Sequence, residues 1–226
     1  MNFKKLTKFN HEKTKNYILR CLITNIVTFS IEPGEKISEN QISELLHVSR
    51  TPVREAFNEL ESSMLLDVKA QVGSFISYID IDMTEELLFF RTSLETSALS
   101  LLSNKPNLNL SKFEKILDKE NLYLENKDYE NLIKIDNEFH KTIFELLGYQ
   151  KIPSIIRKNS AYIDRIRFLG IKDNIRDNDY TEDHVKIVKL LRDGESDGLI
   201  ELINNHINFL NNDMDLLKLR YPEYFN

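Results

Sequence analysis

Apolar positions in the first third of the chain change period twice. Ile18, Leu22, Ile26 and Phe29 recur at helical spacing and predict a first helix, which breaks at Pro33-Gly34. Ser38 followed by Gln41 has the capping-box pattern of a second, short helix with Ile42, Leu45 and Leu46 as its buried positions. His47 and Val48 make a tight turn, and a third helix opens at Ser49 with Val53, Ala56, Phe57 and Leu60 as its apolar stripe. Pro52 falls in the first turn of that helix, where its missing N–H breaks no bond. Past Leu66 the period becomes strand-like. Val68 and its neighbours, a turn at Gln71-Val72-Gly73 and the run Ser74 to Ile79 predict a hairpin. Two short helices joined by a tight turn and followed by a hairpin make a winged helix-turn-helix. Beyond residue 80 the pattern is helical, with candidate helices at Met83 to Leu102, Leu110 to Leu124, Asp128 to Leu147, Ser154 to Leu169, Thr181 to Arg192 and Ser196 to Leu219, and a break over Gly170 to Asp179. The predicted fold class is mainly α: an N-terminal winged helix-turn-helix over residues 1–79, then an all-α helical bundle over residues 80–226.

The polar side of the third helix carries chemistry. Arg50, Arg54 and Asn58 fall four apart, opposite the apolar stripe. Arginine forks suit guanine edges and phosphates, and asparagine suits adenine, so this face fits a helix that enters the major groove of double-stranded DNA. Two arginines on a solvated face would mean little alone; the preceding helix, the turn and the wing give them meaning. The net charge of −6 at first argues against nucleic acid. It is unevenly placed, however. Residues 1–79 hold 10 Lys and Arg against 9 Asp and Glu, whereas residues 80–226 hold 20 against 27. Lys4, Lys5, Lys8, Lys13, Lys15 and Arg20 face only Glu12 in the first twenty residues, which read as a basic N-terminal arm with a disordered tip over residues 1–10. Cys21 is the single cysteine, which excludes an intrachain disulfide and fits a reducing, cytoplasmic setting. No apolar run is long enough for a membrane span, and Arg20, Thr24 and Asn25 interrupt the one stretch that imitates a signal peptide.

In the helical part, four residues stand out. Asp136 and His140 share a stripe with Leu132, Phe139, Ile143 and Leu147; His184 lies with Ile187, Val188 and Leu191; His206 lies with Leu199, Ile203 and Leu210. One buried histidine is ordinarily a hydrogen-bonded core residue. Three, with a carboxylate, would cost several kcal/mol without partners, and a divalent metal ion satisfies all four. Zinc is the first choice for such a donor set, with nickel, manganese or iron also compatible.

Both halves resemble known families. Pro33 to Glu39, Val48 to Ala56, Leu60-Glu61 and Gly73 are similar to the DNA-binding domain of GntR-type bacterial transcription regulators. The resemblance implies that Arg50 and Arg54 reach bases or phosphates, that Ser49 and Thr51 open the recognition helix, that Asn40 touches the backbone from the second helix, and that Gly73 sits at the wing tip. His47 and Met64 stand where the family often has glycine. Arg91-x-x-x-Glu95, Asp136-x-x-Phe139-His140, Asp183-His184 and His206-Ile207 resemble the FCD effector-binding domain of the FadR-like branch, with Gly148-Tyr149 in place of a common Gly-Asn. That resemblance implies Asp136, His140, His184 and His206 as metal ligands, and a small organic acid effector held at the metal with help from Arg91 and from Arg165 or Arg167. The function so implied is a homodimeric regulator, a repressor by preference, that reads an inverted-repeat operator. Two alternatives remain at this point: a regulator whose helical domain is only a dimerisation scaffold, and a metal-dependent hydrolase, for which no separate general base is recognisable.

Overall fold

The computed structural model describes residues 2–173, 175 and 179–226, the side chains of residues 179, 180, 212 and 213 excepted. Its N-terminal unit contains α1 (Thr14–Val27), β1 (Lys36–Ile37), α2 (Glu39–Leu46), α3 (Arg50–Ser62), β2 (Leu66–Lys69) and β3 (Gly73–Ile76). Ser38 caps α2 by accepting from the Gln41 N–H at 3.2 Å. His47 ends α2 in the left-handed conformation, φ 56°, and so makes the sharp turn that a glycine would make more easily. The stripe Val53, Ala56, Phe57 and Leu60 is buried and packs α3 against α1. Leu45, expected inside, is exposed, because only Ile42 and Leu46 of this two-turn helix face the core.

The wing is an antiparallel sheet in the order β1-β3-β2, with Lys36 opposite Phe75 and Val68 opposite Ser74. The hairpin was expected; β1 was not. It is two residues long, too short for alternation to register between the Pro33-Gly34 turn and the Ser38 cap.

The helical part consists of α4 (Ile81–Ser103), α5 (Ser111–Glu125), α6 (Tyr129–Leu146), α7 (Ile152–Lys172), α8 (Asp179–Asp193) and α9 (Ser196–Arg220), then a short 3-10 turn at Pro222–Tyr224. These are the six helices the periodicity predicts. The expected break over Gly170 to Asp179 narrows to the α7–α8 connection, most of which lies outside the described residues. Asp80 caps α4 through the Met83 N–H (2.9 Å) and Asp128 caps α6 through the Asn131 N–H (3.2 Å). The core is continuous, with Leu99, Phe113, Phe139, Ile143, Ile166, Ile187 and Ile203 essentially inaccessible.

The joint between the two parts corrects two expectations. Phe29 is not on α1. It follows the helix with φ 55°, and that left-handed turn swings its ring out against Tyr224 (4.9 Å between centroids) and Phe168 (6.4 Å). The N-terminal arm is ordered, and much of its charge is paired within the chain. Asn25, fully buried, holds Lys4 by bonds to its backbone N–H and C=O (2.6 and 2.9 Å), while Lys4 Nζ reaches Glu130 on α6 at 2.6 Å. Arg20 pairs with Glu12 (2.8 Å), and Lys15 pairs with Glu59. Further along, Ile79 forms a parallel bridge with Phe225: the Ile79 N–H donates to the Tyr224 C=O (2.8 Å) and the Asn226 N–H to the Ile79 C=O (3.1 Å).

Candidate metal centre and nucleic-acid face

Helix α6 brings Asp136 and His140 to one interior point, α8 brings His184 and α9 brings His206. All four are buried, and one ligand atom from each lies within 4.8 Å of the others. Each imidazole is held from behind by a carboxylate. His140 Nδ1 bonds Glu95 Oε2, and the other oxygen of Glu95 accepts from Arg91 Nε at 2.7 Å. His184 Nδ1 meets Glu120 Oε1 at 2.8 Å, and His206 Nδ1 meets Asp183 Oδ2 at 3.3 Å. A carboxylate at Nδ1 keeps the proton there and turns the Nε2 lone pair the other way. All three Nε2 atoms therefore converge beside Asp136: His184 Nε2 is 3.1 Å from His206 Nε2 and 3.9 Å from Asp136 Oδ1, and His140 Nε2 is 3.7 Å from Asp136 Oδ2. Among the described residues the buried His140 Nε2 has no hydrogen-bond partner. With each imidazole proton held at Nδ1, three lone pairs and the Asp136 carboxylate, itself paired with Arg167, form a donor set of the kind that binds a cation. The Phe139 ring stacks on His184, 3.7 Å between centroids, and fixes its plane.

The electrostatics agree. Burial pushes His140 well below the usual histidine range, with Arg91 acting in the same direction, and burial pushes His206 down to about 4. Both are neutral near pH 7, the form that ligates. For Asp136, burial opposes ionisation, but the Arg167 guanidinium, with Arg91 acting in the same direction, outweighs it and holds the carboxyl well below its ordinary value.

Among the expected anion-binding arginines, Arg91 reaches the cage through Glu95. Arg167 pairs directly with Asp136 and with Asp164 Oδ1 at 3.1 Å. Arg165 is not brought to the cage. Two residues along a helix turn by about 200°, so its side chain leaves the opposite way, toward the backbone between the domains. Sequence reasoning also passed over Glu120 as a supporting carboxylate. Its signal was its place on the inward stripe of α5 with Phe113 and Ile116.

On the N-terminal unit, Asn40, Ser49, Arg50, Thr51 and Arg54 are all exposed, and among the described residues Arg50 and Arg54 make no hydrogen bond or ion pair. Ser49 occupies the N-cap of α3 with extended backbone, but its hydroxyl makes no capping bond. Gly73 pairs with Lys69 at the base of the wing tip. Its φ of 139° favours glycine, whereas the end of the flexible Lys36 side chain, 2.4 Å from where a Cβ would stand, could swing aside. Met64 keeps the left-handed conformation, φ 59°, that glycine would adopt there.

A winged helix with an exposed cationic face, joined to a helical bundle, is the build of a DNA-binding transcription regulator. Comparison with known proteins gives the family. Residues 14–76 match the model for bacterial regulatory proteins of the gntR family and residues 86–209 match the FCD domain; the chain belongs to the GntR family and is a transcription regulator, not an enzyme. Similar proteins include the HTH-type transcriptional repressor RspR of Escherichia coli, 24% identical over 212 residues and covering 92% of each chain. Another is the Nta operon transcriptional regulator of Aminobacter aminovorans, 28% identical over 80% of this chain and 85% of that one. The fold is shared with E. coli McbR/YncC (TM-score 0.74, 18% identity, 93% and 99% covered). It is also shared with a GntR regulator from Rhodococcus sp. RHA1 (TM-score 0.73, 19% identity, 88% and 96% covered). No helix among the described residues is long and apolar enough to cross a membrane.

Proposed function

We propose that this regulator is a homodimeric repressor. Residues 1–79 read an inverted-repeat operator, and residues 80–226 sense a small organic acid at a divalent metal ion. The observation that carries this reading is the triple pairing of carboxylate with imidazole, Glu95–His140, Glu120–His184 and Asp183–His206, which aims three Nε2 atoms at the space beside Asp136. Asp136, His140, His184 and His206 hold the ion, and zinc fits three nitrogens and one oxygen best. When bound, the ion offers open coordination positions to a carboxylate. Arg167 and Arg91 supply positive charge beside that point, while Leu132, Ile133 and Ile171 wall an adjoining cavity of about 10 Å³, room for one water-sized group, which an effector would have to widen. Arg50, Thr51 and Arg54 present the base- and phosphate-reading face, Asn40 and Ser49 flank it, and the wing behind Gly73 lies along the backbone. Two-fold protein symmetry is then mirrored in the operator. The effector changes operator affinity only by binding one domain arrangement better than the other.

Metal content after chelator-free purification tests the reading, with about one ion per chain expected. A chain without metal that also fails to take up zinc would leave the helical domain as a dimerisation scaffold. A thermal-shift screen of small carboxylic acids on the metal-loaded protein, with hits retested for release from DNA, then identifies the effector class.

A further inference from the structure

Helix α7 has two working faces. Asp164 and Arg167, three apart, point into the cage network: Arg167 pairs with Asp136 and with Asp164, whose other oxygen accepts from Asn137 Nδ2 at 3.0 Å. Tyr162 and Arg165, also three apart, point at the segment between the domains. Arg165 Nη1 donates to the Ser77 C=O at 2.7 Å and Nη2 to the Tyr78 C=O at 3.5 Å, while the Asp80 N–H donates to the Tyr162 hydroxyl at 2.8 Å. One turn further, Phe168 meets Phe29 of the N-terminal unit.

The environment of Arg165 is unusual. It is completely buried, among the described residues no carboxylate pairs with it, and burial lowers its pKa to about 10. Its charge is met by two backbone carbonyls and by the face of Tyr162, 4.4 Å from the ring centroid. Its buried Nε has no hydrogen-bond partner among the described residues, so a guanidinium compensated only by two carbonyls and a ring loses that compensation if the carbonyls move, and it ties the inter-domain backbone to α7.

We infer that α7 couples the cage to the DNA-binding unit, with Arg165 and Tyr162 as the positioning residues that make Ser77 to Asp80 follow any shift of Arg167 and Asp136. This rests on the metal reading given above. A competing route runs through α4, which is continuous with the inter-domain segment at Ile81 and carries Arg91 and Glu95 to His140. The two routes differ in whether Arg165 and Tyr162 matter.

Hydrogen–deuterium exchange of the full chain, with and without zinc alone, separates them. In the wild type, zinc should slow exchange both around the cage and at residues 77–80. In Tyr162→Phe and Arg165→Gln, zinc should still protect the cage with unchanged stoichiometry, but the response at residues 77–80 should be lost. Tyr162→Phe removes one hydroxyl and serves if Arg165→Gln does not fold. A wild-type segment indifferent to zinc that protects the cage, or an equal response in both variants, overturns the inference. If zinc leaves even the cage unprotected, the metal reading fails separately. The coupling is then judged by Arg167→Met, whose effect on exchange at residues 77–80 must disappear in the Tyr162→Phe background, and its persistence there refutes the link.

Discussion

Glu120 illustrates how one side chain sets the state of another. Its Oε1 accepts from His184 Nδ1, so the imidazole keeps the tautomer and orientation a ligand needs. Glu120→Gln retains the volume but removes the charge behind the ring, and metal affinity should fall about 10- to 100-fold with the fold intact, as read by competition with a chromogenic chelator. Unchanged affinity would reduce Glu120 to a space-filling residue. On the other unit, Arg54→Ala should abolish specific operator binding at physiological salt while metal content and melting temperature stay as they were; retained binding would place the recognition face elsewhere. These residues differ in how visible they are in the sequence. Asp136 and His140 announce themselves by lying four apart on an apolar stripe, and Arg54 by facing away from one. Glu120 is fainter: its place on the stripe of Phe113 and Ile116 is the one signal, and a lone acid on a charged helix otherwise reads as solvated. Arg165 and Arg167 could not be told apart, because only the azimuth of α7 in the bundle decides which of them meets Asp136.

At the scale of elements, helix ends are where the chain departs from ideal residue choice. His47 closes α2 at φ 56° with an exposed side chain, so it accepts a left-handed backbone with little packing in return. His47→Gly should therefore stabilise the protein by roughly 0.5–1 kcal/mol, seen as a rise of a few degrees in thermal unfolding. A fall would mean that the imidazole makes a contact beyond the chain itself. The helices were legible because each carries several turns of periodic apolar residues between clear breaks. β1 was not, because two residues hold no period. The end of α1 was misplaced at Phe29, an apolar residue in helical register that the backbone turns aside to serve the joint with Phe168 and Tyr224.

At the scale of the whole molecule, a protein with buried neutral imidazoles weakens in acid. His206 titrates near 6.5 when unfolded and near 4 when folded, so between those values the unfolded chain binds more protons. In the metal-stripped protein, stability should be intact above about pH 6.5 and fall as pH drops toward 4, by up to about 1.4 kcal/mol per pH unit for each such histidine. Denaturant unfolding across that window checks it, and a flat profile would mean these rings are solvated. The arm is where whole-molecule context most changed the reading: a basic segment that composition marks as a loose tail is strapped to α1 by Asn25 and to α6 through Lys4 and Glu130. The bridge between Ile79 and Phe225 carries a further consequence for how the protein comes into being. Its two sides lie roughly 150 residues apart, so at ordinary rates of about 5–20 residues per second the winged helix emerges from the ribosome some 7–30 seconds before its fastening exists. During that interval a nascent chain carries an exposed recognition helix on a domain not yet fastened to the rest of the protein.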